Sequence, residues 1–321
     1  MVRLLNVATP PPGFPSLLEV AHARAGCGVQ AKVENGSSGQ CSAHGGCLGD
    51  GAFQCLLRLK KLEDIEEKDL LWATSRCPMV EDITISLDNY SGISSHLTQW
   101  PYLTRLTLHC SGPPTRSLEE LLTSLEPVGS RLRYLSLQNL FWHQEGSFST
   151  LLSLCPNLHT LFCHFTPRCR TLSHNEPEPE LRPWGDNLVI QTLPHLQNFS
   201  LLMEGGDPLN PLFKHSVGGS LVSLMCGSPQ LQTISLWELP ILLDDVFEVM
   251  ASFSPVPLRK LRTVSLCRSY ITSWGATLLL RSDNELETLD LSHCQEITCR
   301  DHHRLIEWVR KEGLDITITW Q

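Results

Sequence analysis

One arrangement of apolar residues keeps returning along this chain: apolar, two residues, apolar, one residue, apolar. It stands at Val80-Ile83-Ile85, Leu103-Leu106-Leu108, Leu132-Leu135-Leu137, Leu158-Leu161-Cys163, Leu196-Phe199-Leu201, Leu231-Ile234-Leu236, Leu261-Val264-Leu266 and Leu286-Leu289-Leu291. The first positions are 23, 29, 26, 38, 35, 30 and 25 residues apart, and a weaker copy follows at Leu314-Ile316-Ile318. One copy would mean little; eight in series restrict the chain to an array of similar coils. The last two apolar positions of each copy alternate with polar ones, as a short strand with one buried face requires. Helical patterns follow at 118–125, 148–154, 221–225, 244–252, 274–281 and 302–311. Ser117 and Glu120 have capping-box spacing, and Gly313 suits a helix end. No coil can bury its apolar face alone, so the coils must stack into a solenoid.

The rest of the chain divides around this array. Residues 1–55, with Pro10 to Pro12, Pro15 and the run from Glu34 to Gln40, read as a disordered Gly/Pro-rich leader. Leu56, Leu59, Leu62, Ile65, Leu70 and Leu71 fit a helical stripe, giving a helical N-terminal cap over 56–77. The repeat domain then runs from 78 to 321, with long insertions expected near 166–187 and 203–219.

Composition narrows the partner class. The 321 residues carry 25 Lys+Arg against 34 Asp+Glu, a net charge of −9, which argues against nucleic acid as the main partner. No apolar run approaches membrane-spanning length, and the N-terminal apolar stretch is too short for a secretory signal, so a cytoplasmic or nuclear location is expected. The 13 cysteines are then read as reduced, buried thiols. Cys41, His44 and Cys47, with Cys27 and Cys55 nearby, lack the paired spacing of a zinc site, and Cys299 with His303 supplies two ligands at most. No phosphate loop and no hydrolase, kinase or metalloprotease motif is present. No cofactor, no metal and no catalytic residue is therefore expected.

The copies carry the L-x-x-L-x-L signature of leucine-rich repeats, and they resemble the cysteine-containing, ribonuclease-inhibitor-like repeats of the F-box/LRR family. The fullest copy, Leu286-Glu-Thr-Leu289-Asp-Leu291-Ser-His-Cys294-Gln-Glu-Ile297-Thr298, is similar to that family's L-x-x-L-x-L-x-x-C-x-x-I-T. Cys155-Pro156-x-Leu158 and Ser228-Pro229-x-Leu231 resemble its C-P-x-L lead-in. The turn-closing position of that motif holds Asp88, Ser111, Thr166, Ser269 and Cys294 here, and departs to Leu140, Glu204 and Leu239 elsewhere. The resemblance covers about residues 78–321 and does not extend to the adaptor-binding F-box. It implies an α/β horseshoe, with a parallel concave sheet and convex helices, acting as the substrate-recognition part of a cullin-RING ubiquitin ligase. The rival reading is a ligase-independent scaffold or inhibitor.

The register also says which side chains face out from the sheet: those two, four and six places after each repeat start. Most are Ser or Thr. The exceptions, Tyr134, Phe162, His164, Leu202 and Trp237, fall on neighbouring strands in the middle of the array. Exposed aromatic residues in the centre of a concavity suit a protein interface. These five are the expected partner-binding residues.

Overall fold

The computed structural model describes residues 2–5, 29–32, 59–87, 92–168, 189–204, 211–253 and 258–321. The chain forms two compact units, Met1–Ser111 and Gly112–Gln321. The first holds β1 (Val2–Leu5), β2 (Val29–Lys32), β3 (Lys61–Glu66), α1 (Leu70–Arg76), β4 (Asp82–Ser86), α2 (Ile93–Leu97) and β5 (Arg105–His109). β3, β4 and β5 pair in parallel. β1 joins β3 antiparallel and β2 parallel.

The second unit holds α3 (Leu118–Leu125), β6 (Tyr134–Trp142), α4 (Ser147–Leu154), β7 (Thr160–Pro167), β8 (Asn198–Met203), α5 (Pro211–Cys226), β9 (Thr233–Trp237), α6 (Leu243–Ala251), β10 (Thr263–Ser265), α7 (Ser273–Arg281), β11 (Thr288–Asp290), α8 (Cys299–Lys311) and β12 (Thr317–Thr319). Each strand from β6 to β12 pairs in parallel with the next in sequence. The repeat apolar positions meet in register: Leu135, Leu161, Phe199, Ile234, Val264, Leu289 and Ile318 form one row. The first six are at most 1% exposed. Leu62, Ile83 and Leu106 form the corresponding row of the first unit. The fold is thus an α/β leucine-rich-repeat solenoid: parallel strands bury one face against helices and leave the other half exposed.

Three expectations need correction. The helical cap over 56–77 begins as a strand, β3, and becomes helical only from Glu67. The misleading signal is the three-residue spacing of Leu62 and Ile65. A bulge lets both face the core: Leu62 lies opposite Ile83 and Ile65 opposite Ile85, with Asp64 at φ 53° between them. In the expected insertion 203–219, residues from Pro211 onward are the first half of α5. That helix buries an unbroken run from Val217 to Met225, while its first turns expose Lys214 and half-expose His215 and Ser216; Pro211 and the Gly218-Gly219 pair are what made this stretch read as loop. Thirdly, Ser86 and Ser136, assigned to the outward face, are buried. Ser86 shares a hydrogen bond with the Ser111 hydroxyl, and Ser136 accepts one from Gln138.

The remainder of the leader, residues 169–187 and 205–210 of the two insertions, and Asp88 lie outside the described residues. Gly313 ends α8 as expected: it takes φ 66°, its N–H donates to Arg310, and the Leu314 N–H donates to Val309, a Schellman arrangement. Ser117 caps α3 by accepting from the Glu120 N–H at 3.3 Å.

Candidate functional site

The outward-facing side chains of the second unit are set by strand register. His164, Leu202 and Trp237 are paired positions on β7, β8 and β9, one row across three adjacent strands spaced about 4.8 Å apart. Phe162 lies two residues earlier on β7, on the same face, between Ser136 and Ser200. Tyr134 pairs with Thr160, so it stands diagonally from Phe162, at the far end of the group. The structure therefore joins four of the five expected residues closely, with Tyr134 at their margin. Trp237 is 46% exposed, and the other four are half-buried.

The polar surroundings of this row follow from its position at the strand ends. His164 Nε2 lies 3.1 Å from Glu204 Oε2, and the Glu204 N–H donates to the Phe165 carbonyl. Beyond Trp237, Glu238 pairs with Arg268 at 2.7 Å. Glu204 and Arg268 were absent from the outward columns because they follow the strands; only the coil turn brings them to the edge of the sheet. On the same face, Asp290 accepts from Ser292, Ser265 and Thr319 hydroxyls at 2.6, 3.0 and 2.9 Å, and from the Ser292 N–H at 3.0 Å. Burial alone would raise its carboxyl, but these donors outweigh it and hold the group below the usual carboxylate value.

The turns that follow β9, β10 and β11 share a backbone. Glu238, Arg268 and His293, each seven places after a repeat start, take left-handed φ of 56°, 54° and 59°, and Asn139, at the same place but inside β6, takes 58°. The N–H groups of Glu238, Arg268 and His293 then donate to Cys267, Ser292 and Gln321 in the following coil. The next residue supplies the lock. The Ser269 hydroxyl donates to the Leu236 carbonyl at 3.0 Å, and the Cys294 thiol donates to the Leu266 carbonyl at 2.9 Å. Both reach back to the strand end of the preceding coil. At Leu140 the turn is replaced by a bulge: β6 continues to Trp142, and Leu140 pairs with Phe165.

Cys299 Sγ lies 3.5 Å from His303 Nδ1, which also bonds the Cys299 carbonyl at 2.8 Å. Among the described residues no three His, Cys, Asp or Glu side chains are placed to hold a metal ion. Cys27, Cys41, His44, Cys47 and Cys55 lie outside the described residues. Among the described residues no helix is long and apolar enough to cross a membrane.

No family model matches the chain. No curated protein matches it either. Among solved structures it is similar to a chain of the yeast Rad7 and Elc1 complex, at 18% identity and a TM-score of 0.43, over 77% of this chain and 67% of that one. It is similar to an internalin, InlF, of Listeria monocytogenes str. 4b F2365, at 13% identity and a TM-score of 0.40, over 76% and 62% of the two chains. The mouse RP105/MD-1 complex follows at 12% identity and a TM-score of 0.32, over 81% of this chain and 45% of the matched one.

Proposed function

We propose that this protein works by binding another protein on the half-exposed sheet face of its second unit, without chemistry of its own. The observation that carries the reading is the row His164, Leu202 and Trp237 on three adjacent strands, with Phe162 beside it and Tyr134 at the margin. Strand pairing fixes the backbone under these side chains, so a partner meets them already ordered. Aromatic anchors on such a surface carry a large share of binding energy when a partner desolvates them.

In its finer form the partner is a substrate, and the chain is the recognition part of an F-box-type ubiquitin ligase in the cytoplasm or nucleus. The support for this form is the similarity of the 286–298 coil to the F-box/LRR repeat, reinforced by the Cys294 lock. The second reading is a ligase-independent scaffold or inhibitor.

Proximity labelling of the wild-type chain and of a Phe162→Ala, Trp237→Ala double variant tests the surface. The variant is expected to lose the specific partners while keeping its melting temperature. Retention of every partner would remove the proposal. Co-purification of the cullin-RING adaptor with the full chain separates the two forms: its presence favours the ligase subunit, and its absence leaves the scaffold.

A further inference from the structure

A second cluster of exposed apolar side chains lies at the strand-end rim of two adjacent coils. Trp237, Leu242, Tyr270 and Trp274 are 46%, 44%, 48% and 50% exposed. Trp237 ends β9, Leu242 precedes α6, Tyr270 follows β10, and Trp274 is the second residue of α7. The two loops are tied backbone to backbone. Leu242 and Tyr270 form a parallel bridge, and the Leu243 N–H donates to the Tyr270 carbonyl at 2.8 Å. The Asp244 carboxylate accepts the Thr272 N–H at 2.9 Å and the Thr272 hydroxyl as well. Single exposed apolar residues need no explanation, but Leu242 and Tyr270 on locked neighbouring loops, with Trp237 at the preceding strand end and Trp274 at the following helix start, form a patch. Their composition is that of interface hot spots, and the fixed loops remove the ordering cost of docking.

The charge around the patch specifies what fits it. Among the described residues, Glu204 and Glu238 lie beside Arg268, with Glu238 paired to it at 2.7 Å and Glu204 facing His164 at 3.1 Å. Asp245 is exposed on the first turn of α6, next to Leu242. An acidic partner would meet repulsion from Asp245, whereas lysine or arginine would gain its carboxylate and the faces of the aromatic rings.

We propose that this rim is the docking site for a segment of another protein that presents an apolar or aromatic side chain flanked by lysine or arginine. The proposal rests on the reading that the chain acts by binding protein, and adds an adjoining surface, which shares Trp237 with the sheet-face row, and a partner chemistry to it.

The test is selection of a random heptapeptide phage library on the full-length chain, followed by fluorescence anisotropy of the winning peptides. Enriched peptides are expected to combine an apolar or aromatic residue with lysine or arginine. Tyr270→Ala and Trp274→Ala should each weaken them by about tenfold. Asp245→Lys should weaken them several-fold, and raising salt from about 50 to about 500 mM should do the same. Phe162→Ala should leave them unchanged. Tyr270, Trp274 and Asp245 are exposed and Phe162 is only half-buried, so unchanged melting curves verify that each variant is folded. No enrichment, a consensus without a cation, or affinities indifferent to both Tyr270→Ala and Trp274→Ala would overturn the proposal. Failure here, with cellular partners still lost in a Phe162→Ala, Leu202→Ala variant that keeps Trp237, removes the rim alone. Retention of partners in that variant removes the sheet-face reading instead.

Discussion

At the scale of single residues, the coil turn concentrates the cost and the locking of the fold. Three non-glycine residues, Glu238, Arg268 and His293, hold left-handed φ there, a conformation costing roughly 1–2 kcal/mol for an L-residue. Glycine escapes that penalty but loses about 0.5–1 kcal/mol of chain entropy on folding. His293 is exposed, and its N–H donation to Gln321 would survive the loss of its side chain. His293→Gly should therefore stabilise by about 0.5 kcal/mol, read as a higher urea midpoint with an unchanged slope. Ser269 is the opposite case. Its buried hydroxyl donates to Leu236 and accepts from the Leu239 N–H, so Ser269→Ala leaves two buried backbone groups wanting and should cost about 1–3 kcal/mol in the same experiment.

Of the eight described cysteines five are buried, as the sequence led one to expect, while Cys226 and Cys267 are half-buried and Cys299 is exposed. Burial pushes Cys77 and Cys155 up to about 12 and Cys294 up to about 11. Folded values above unfolded ones mean that the folded state holds its protons longer. The stability linked to these groups is full below the ordinary thiol value of about 8.5 and is lost as pH rises toward their folded values. A maleimide at about pH 8 should label the exposed Cys299 in the native protein, and Cys77, Cys155 and Cys294 only after unfolding, as peptide mapping would show. The sequence also marked position 294 as a turn-closing residue. It could not show that the thiol reaches the preceding coil, because that depends on how coils stack.

Among the elements, strands and helices with a clean period were readable, and those with a bulge or with proline and glycine in them were not. Leu118–Leu125 was legible from its apolar spacing and the serine before it, and it is a helix with those bounds. β3 was hidden by its bulge, and the first half of α5 by its proline and paired glycines, which read as loop. The sequence placed Asp244 only at the start of an expected helix. In the structure it is buried and joins α6 to the entry of α7 through Thr272. That contact explains Gly275. Alanine is favoured over glycine by about 1 kcal/mol inside a helix. A Cβ on Gly275, however, would run into Asp244 Oδ1 and come within 3.0 Å of Ile271 Cγ1. The carboxylate is short and already committed, so it has little room to move. Overpacking of this kind costs roughly 1–3 kcal/mol and should outweigh propensity. Gly275→Ala is expected to lower the melting temperature, and a rise would mean that Asp244 is freer than its hydrogen bonds indicate.

For the molecule as a whole, the row proposed to bind a partner was legible because it is a by-product of register, whereas the rim patch was not, because turns carry no period. The large aromatic core was also unseen as a unit. Trp142, Phe148, Phe165, Phe199 and Phe213 converge from three strands and two helices of the second unit, with Trp142 4.9 Å from Phe213 and 5.5 Å from Phe165 between ring centres. Trp142 is fully buried, and its indole N–H donates to the Gln144 carbonyl at 2.8 Å. Trp142→Ala should cost about 3–5 kcal/mol in chemical denaturation, whereas Trp237→Ala, on the open face, should cost little.

Strand pairing in the second unit is residue for residue along the binding row, while the return paths between strands differ greatly in length. Changes in those paths leave the spacing of His164, Leu202 and Trp237 untouched. Removal of the coil that carries β8 would instead bring His164 and Trp237 onto neighbouring strands, one step of about 4.8 Å apart. A partner that grips both ends of the row is thereby counting coils, and the surface serves it as a ruler graduated in whole repeats.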